Sequence, residues 1–161
     1  MRTIIIYYSF SGNTRRVAEV LGECLKQKSE VQMIGLKAWD ESDKFLTQAA
    51  RGFRHKRANI EPVDFDLSQY DLICLGTPVW AFGPAPAVNT YLDKCSGLKG
   101  KEVVLFTTYG SGAGRERCLD YMQNILAKKG GQGFKRFSIQ QFKVKDKDLI
   151  LKEIMRLWPN G

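Results

Sequence analysis

Three stretches of this chain, residues 3–8, 71–76 and 102–108, have nearly unbroken apolar cores, and each empties into a loop rich in small residues that leads to a helical pattern. A strand apolar on both faces must be covered on both faces, which is the condition of a parallel sheet held between helix layers. Two weaker runs, 31–34 with Gln32 inside it and 134–139 with polar interruptions, suit the edges. Strands and helices alternate throughout, and right-handed crossovers leave few topologies for that alternation. The most economical is an α/β fold with a five-stranded parallel sheet of order 2-1-3-4-5 and helices on both faces. Ligands of such sheets bind beyond the carboxyl ends of the strands, at the switch point between strands one and three. The loops 9–14, 77–84 and 109–114 all leave carboxyl ends of central strands, so they should converge on one site.

The helices are marked by their periodicity and their ends. In the first, at about 14–28, Val17, Leu21, Cys24 and Leu25 share a face. A pattern from Ser42 onward puts Phe45, Leu46, Ala49, Ala50 and Phe53 on one side and runs into a basic cluster; 54–68, with Pro62 and alternating Asp, reads as a loop. Pro84 and Pro86 fit the start of a helix at 86–95, because a first turn has no use for the missing N–H. A helix after Gly114 runs to Lys129 and is stopped by Gly130 and Gly131. The last, at 147–158, places Ile150, Ile154, Leu157 and Trp158 on one face before Pro159. A length of 161 residues, 43% of them hydrophobic, suits one domain over 1–161 with a substantial core. No apolar run approaches the roughly 18 residues a membrane span needs, and the N-terminus enters a strand with no signal-like leader, so no membrane is expected and the cytoplasm is.

The first loop has the chemistry of an anion site. A helix N-terminus offers unpaired N–H groups and the positive end of its dipole. Here Ser9, Ser11 and Thr14 add three hydroxyls, Gly12 permits close approach, and Phe10 and Asn13 complete the turn. Arg15 and Arg16 stand in the first turn, where the dipole disfavours cations, and a bound anion relieves that mismatch. The same Ser-Gly-Asn-Thr run is also a good turn and N-cap without any ligand.

The other two loops offer flat walls. Thr77, Pro78, Val79, Trp80, Ala81, Phe82 and Gly83 bring two aromatics amid proline and glycine, and Thr108, Tyr109, Gly110, Ser111 and Gly112 bring a third amid glycines. A planar ring beside a phosphate site is the ligand such loops suit, since the aromatics supply apolar faces and the glycines let backbone approach.

Ser9-x-Ser11-Gly12-x-Thr14, directly after the first strand, resembles the (S/T)-x-(S/T)-G-x-T phosphate loop of the flavodoxin family. Gly76-Thr77-Pro78-Val79-Trp80 and Thr108-Tyr109-Gly110-Ser111-Gly112 are similar to the two flavin-contacting loops of that family, in the same order, so the resemblance covers essentially the whole chain. It implies the three-layer flavodoxin-like fold in its short-chain form, a non-covalent FMN with its 5′-phosphate on 9–14, and electron transfer between redox partners. Backbone of 79–83 would face the flavin N5, and N–H groups of 109–112 would face N1 and O2, where charge of the fully reduced flavin collects. The family's carriers are typically acidic, whereas this chain has a formal charge of +8. The resemblance therefore implies a flavin less reducing than in acidic relatives, and the basic cluster Arg51, Arg54, His55, Lys56 and Arg57 is a candidate dock for an acidic partner.

Other classes fare worse. Nucleic-acid binding would call for a basic stripe with stacking aromatics, which is missing. The cysteines Cys24, Cys74, Cys95 and Cys118 are scattered, with one His in the chain, so no metal site is expected; Cys24, Cys74 and Cys118 read as reduced core residues. Asp40, Glu41, Asp64 and Asp66 lie in loop-like or helix-start segments, and no catalytic side chain stands out. An FMN-dependent NAD(P)H:quinone or small-acceptor reductase is the alternative, although Gly110-x-Gly112-x-Gly114 is not a nicotinamide fingerprint. A cofactor-free scaffold of the same fold is the third reading.

Overall fold

Consecutive residues of a strand point to opposite faces, and in the computed structural model of this chain, which describes residues 1–39 and 57–159, each central strand feeds two separate cores in this way. Strands β1 (Arg2–Tyr7), β3 (Leu72–Trp80) and β5 (Glu102–Tyr109) send Ile4, Ile6, Ile73, Leu75, Val103 and Leu105 to one side. They send Ile5, Leu72, Cys74, Val104 and Phe106 to the other. Helices α2 (Pro86–Lys94) and α3 (Arg115–Lys128) cover the first side through Val88, Tyr91, Leu92, Cys118, Leu119 and Met122. Helices α1 (Asn13–Leu25) and α4 (Lys147–Met155) cover the second through Val17, Ala18, Leu21, Ile150 and Ile154. This is why the three apolar runs have no polar face.

Strand β2 (Glu30–Gly35) flanks β1, and β6 (Gln132–Gln140) flanks β5, all in parallel, giving the order β2-β1-β3-β5-β6. That is the expected 2-1-3-4-5 arrangement. One detail differs: the described residues form six strands. β3 does not end at Gly76 but continues to Trp80, then folds back as the two-residue β4 (Gly83–Pro84), with Val79 opposite Pro84 and Trp80 opposite Gly83. Pro84 thus belongs to this hairpin, and only Pro86 opens the helix. Gly76 is required within β3, because a Cβ there would lie 2.1 Å from the Phe106 ring.

α4 ends at Met155, three residues earlier than its periodicity suggests, and Leu157 and Trp158 pack on the same core from the turn that follows. α1 likewise gives way to a turn after Leu25. Cys95 is buried like Cys74 and Cys118, whereas Cys24 is only half-buried. The helical pattern over 42–53 and the basic residues Arg51, Arg54 and Lys56 lie outside the described residues. Arg57 is described, and its guanidinium grips the Asp93 carboxylate at 2.7 and 2.9 Å. Among the described residues no helix is long and apolar enough to cross a membrane.

Candidate functional site

The parallel strands deliver the three loops to one end of the sheet, where they enclose a cleft of about 580 Å³. Phe10, Ser11, Asn13 and Thr14 line it from the first loop, Pro78, Val79, Trp80, Ala81 and Phe82 from the hairpin, and Thr108, Tyr109, Gly110 and Ser111 from the third. Five of the expected residues stand behind this wall. Ser9, Gly12 and Gly112 shape their loops, Gly83 pairs with Trp80, and Thr77 is fully buried with its hydroxyl accepting from the Ala85 N–H and donating to the Pro78 carbonyl.

The first loop is prepared for an acceptor. Gly12 is the N-cap residue of α1 in the left-handed region, at φ 91°, and no side chain caps the helix. The leading N–H groups of α1 therefore point out of the helix end without an intrahelical partner. No acidic residue stands in the first turn, and Arg15 is held by Glu19 one turn on, at 2.9 Å. The Ser9 hydroxyl is buried and has no hydrogen-bond partner among the described residues. An unsatisfied buried hydroxyl costs about 1–3 kcal/mol, which a bound oxyanion would relieve. Thr14 is buried, and its hydroxyl lies 2.8 Å from that of Thr108. If Thr108 donates to Thr14, the Thr14 proton is left to donate onward, so this pair joins the first loop to the third.

The hairpin carries the strain. Its turn places Ala81 and Phe82 at φ 48° and 66°, a left-handed pair that hairpins normally reserve for Asn and Gly. Non-glycine residues there cost roughly 1–3 kcal/mol each and persist only where the surroundings hold them. What holds them is Gly114: with no Cβ of its own, it lets the Phe82 side chain and backbone sit against the start of α3. Trp80 is set edge-on to Tyr8, with centroids 5.5 Å apart, and is flanked by Phe10 at 6.5 Å. Phe10 and Phe82 are exposed at the cleft mouth.

Sequence reasoning missed three participants. Ala113 and Gln141 line the cleft, and Arg115 lies on Tyr109. Gln141 begins the short 3₁₀ turn Gln141–Lys143 just beyond the carboxyl end of β6, so the switch-point rule could have found it had it been applied to the edge strand. No carboxylate, imidazole, thiol or amine lines the cleft among the described residues, and none of them forms a cluster able to hold a metal ion.

The fold and site together define a doubly wound α/β protein with an uncapped helix N-terminus and an aromatic-lined cleft at one end of its sheet. The flavodoxin family model matches residues 2–132, and the chain belongs to the flavodoxin family. Solved structures agree on the fold. A flavoprotein of Lactobacillus acidophilus NCFM in complex with FMN is 24% identical, covering 91% of this chain and 98% of its own, at a TM-score of 0.58. Oxidised flavodoxin 1 of Bacillus cereus is 18% identical over 97% and 98% of the two chains, at 0.61. An NADH:FMN oxidoreductase in its apo form is 20% identical over 98% and 86%, at 0.65.

The residues present fit FMN. The orphaned Ser9 hydroxyl and the uncapped α1 terminus match a phosphate monoester, and Trp80 and Tyr109 both line the cleft of about 580 Å³.

Proposed function

We propose that this chain is an FMN-binding electron-transfer protein that passes electrons between partner proteins. The observation that carries this reading is the wall of the cleft: the hydroxyls of Ser11, Thr14, Thr108 and Ser111, the aromatics Phe10, Trp80, Phe82 and Tyr109, and no acid–base side chain among the described residues lining it. When bound, FMN supplies one- and two-electron transfer, and the protein's share is to bind it, orient it and set its potential. Ser9, Ser11, Thr14 and the first N–H groups of α1 hold the phosphate. Trp80 and Tyr109 border the ring and exclude water, and backbone from Val79 to Gly83 and from Tyr109 to Gly112 meets its polar edge. A carrier of this kind needs no catalytic side chain. The four free cysteines suit a reducing cytoplasm. The chain's positive charge favours a reduced flavin more than an acidic surface would.

The test begins with FMN titrated into apoprotein while tryptophan fluorescence and the visible spectrum are followed. Saturable quenching at one FMN per chain is expected; no uptake at micromolar FMN overturns the reading. The likeness to an NADH:FMN oxidoreductase supports a second reading, a reductase that takes hydride from NAD(P)H. The loaded protein is then mixed with NAD(P)H and a quinone. Slow turnover, against rapid exchange with a reductase protein, is the carrier's signature, and fast saturable oxidation of NAD(P)H would replace it with the reductase. For the partner we propose an acidic protein docking at Arg51, Arg54, Lys56 and Arg57. Reversing three of those charges should slow transfer at low salt, and an unchanged, salt-independent rate removes this dock.

A further inference from the structure

Arg115 is the first residue of α3 and follows the left-handed Gly114. Its guanidinium carbon lies 4.9 Å from the centroid of the Tyr109 ring, and its Nη1 donates to the Tyr109 hydroxyl at 2.7 Å. Tyr109 in turn lines the cleft. A cation at the start of a helix opposes the helix dipole, so helix stability does not explain the placement. Nor does a dedicated counter-ion. The Arg115 Nε lies 3.7 Å from one oxygen of Glu116, whose other oxygen is bound at 2.5 Å by Arg136. One carboxylate is thus shared between two guanidinium groups, and Arg136 has Asp120 as well. What Arg115 does have is a two-point hold on an aromatic ring, by contact with its face and by a hydrogen bond to its hydroxyl, which a planar guanidinium achieves and an ammonium does not.

We infer that Arg115 is a positioning residue that acts through Tyr109: it fixes that ring against the bound flavin and places a permanent positive charge behind it, favouring the fully reduced flavin over the oxidised one. The inference rests on the FMN reading above and deepens it. The two parts separate cleanly. Orientation of Tyr109 affects the binding of both redox states alike. The charge acts mainly on the state that carries extra electron density, and because the Arg115 side chain is 41% exposed and near Glu116, its effect is modest and screened by salt.

The test uses Arg115→Gln and Arg115→Lys, checked for native far-UV circular dichroism, with dissociation constants measured for oxidised and for dithionite-reduced FMN and the midpoint potential read independently. In Arg115→Gln the ratio of reduced to oxidised dissociation constants should rise about fivefold, and the potential should fall accordingly. In Arg115→Lys, which keeps the charge and loses the fork, both states should weaken together with the ratio held within about twofold. The effect of Arg115→Gln should shrink in high salt. Equal weakening of both states in Arg115→Gln, or no change in either, overturns the charge role. Failure of the wild-type chain to bind FMN would instead overturn the cofactor reading, and this inference with it, before either variant is made.

Discussion

Replacing Gly114 with alanine tests whether the strained hairpin is held in place by the start of α3. Gly114 lies at φ 80°, and a Cβ there would meet Phe82 Cδ1 at 2.2 Å, its Cα at 2.8 Å and its Cβ at 2.9 Å. The left-handed backbone alone costs an L-residue about 1–2 kcal/mol. Overpacking adds about 1–3 kcal/mol, because one of the opposing atoms is backbone and cannot rotate away. The expected cost of Gly114→Ala is therefore about 2–5 kcal/mol, a large share of a typical stability of roughly 5–15 kcal/mol. Phe82→Gly removes two of the three opposing atoms and relieves the left-handed strain at its own position, at the loss of a side chain that is 44% exposed. Its own effect should stay within about 1 kcal/mol, since the left-handed relief and the lost burial oppose each other. In the Phe82→Gly background, Gly114→Ala should cost about 1–3 kcal/mol, a coupling on the order of 1–2 kcal/mol. Urea unfolding of the four apoproteins, with m unchanged, gives the cycle. A Gly114→Ala cost below about 1 kcal/mol, or strict additivity, would refute the claim that Gly114 holds the turn.

Other perturbations have equally direct readouts. Ser9→Ala removes a hydroxyl that has no partner among the described residues, so apoprotein stability should hold or rise slightly, while FMN affinity, measured by calorimetry, falls about tenfold. A loss of apoprotein stability would mean the hydroxyl is structural instead. Thr14→Val breaks the buried pair with Thr108 and leaves one hydroxyl unsatisfied, an expected loss of about 1–3 kcal/mol in urea unfolding. Burial pushes the thiol of Cys95 up to about 11 and that of Cys118 up to about 12, against an ordinary 9.0, and raises Cys74 further still. Above pH 9 the unfolded chain releases these protons while the folded one keeps them. Stability is then complete below pH 9 and falls as pH climbs toward 11, by about 1.4 kcal/mol per pH unit for each such group. Urea midpoints in reductant from pH 7 to 11 should show the fall, and Cys95→Ala should reduce its slope by about one third; a midpoint level to pH 10.5 would contradict it.

Much of the site was legible because its parts are local. A hydroxyl-rich turn between an apolar strand and an amphipathic helix is written in adjacent residues, and the rule that ligands sit beyond strand carboxyl ends then brings the loops together. The uncapped start of α1 and the unpartnered Ser9 hydroxyl are the three-dimensional form of that same pattern. The hairpin was not legible. Thr77-Pro78-Val79-Trp80 followed by Ala81-Phe82 has neither the Asn-Gly nor the Asp-Gly pair of a tight hairpin, so local propensity pointed to an irregular loop. Its turn is imposed by packing on Gly114, distant in the chain, and by the buried Thr77 hydroxyl that ties Ala85 to the end of β3.

The sequence by itself determined the layered parallel sheet, its strand order and the end of it at which the three loops meet, because the periodicity of apolar residues and the handedness of crossovers act along the chain. The tertiary structure alone decided which groups meet across it: the Thr14 and Thr108 hydroxyls, Arg115 on Tyr109, Gln141 in the cleft wall and Phe82 on Gly114. Each of those contacts depends on distances between elements, set by how two cores pack against one sheet, and no local pattern of residue types records a distance of that kind.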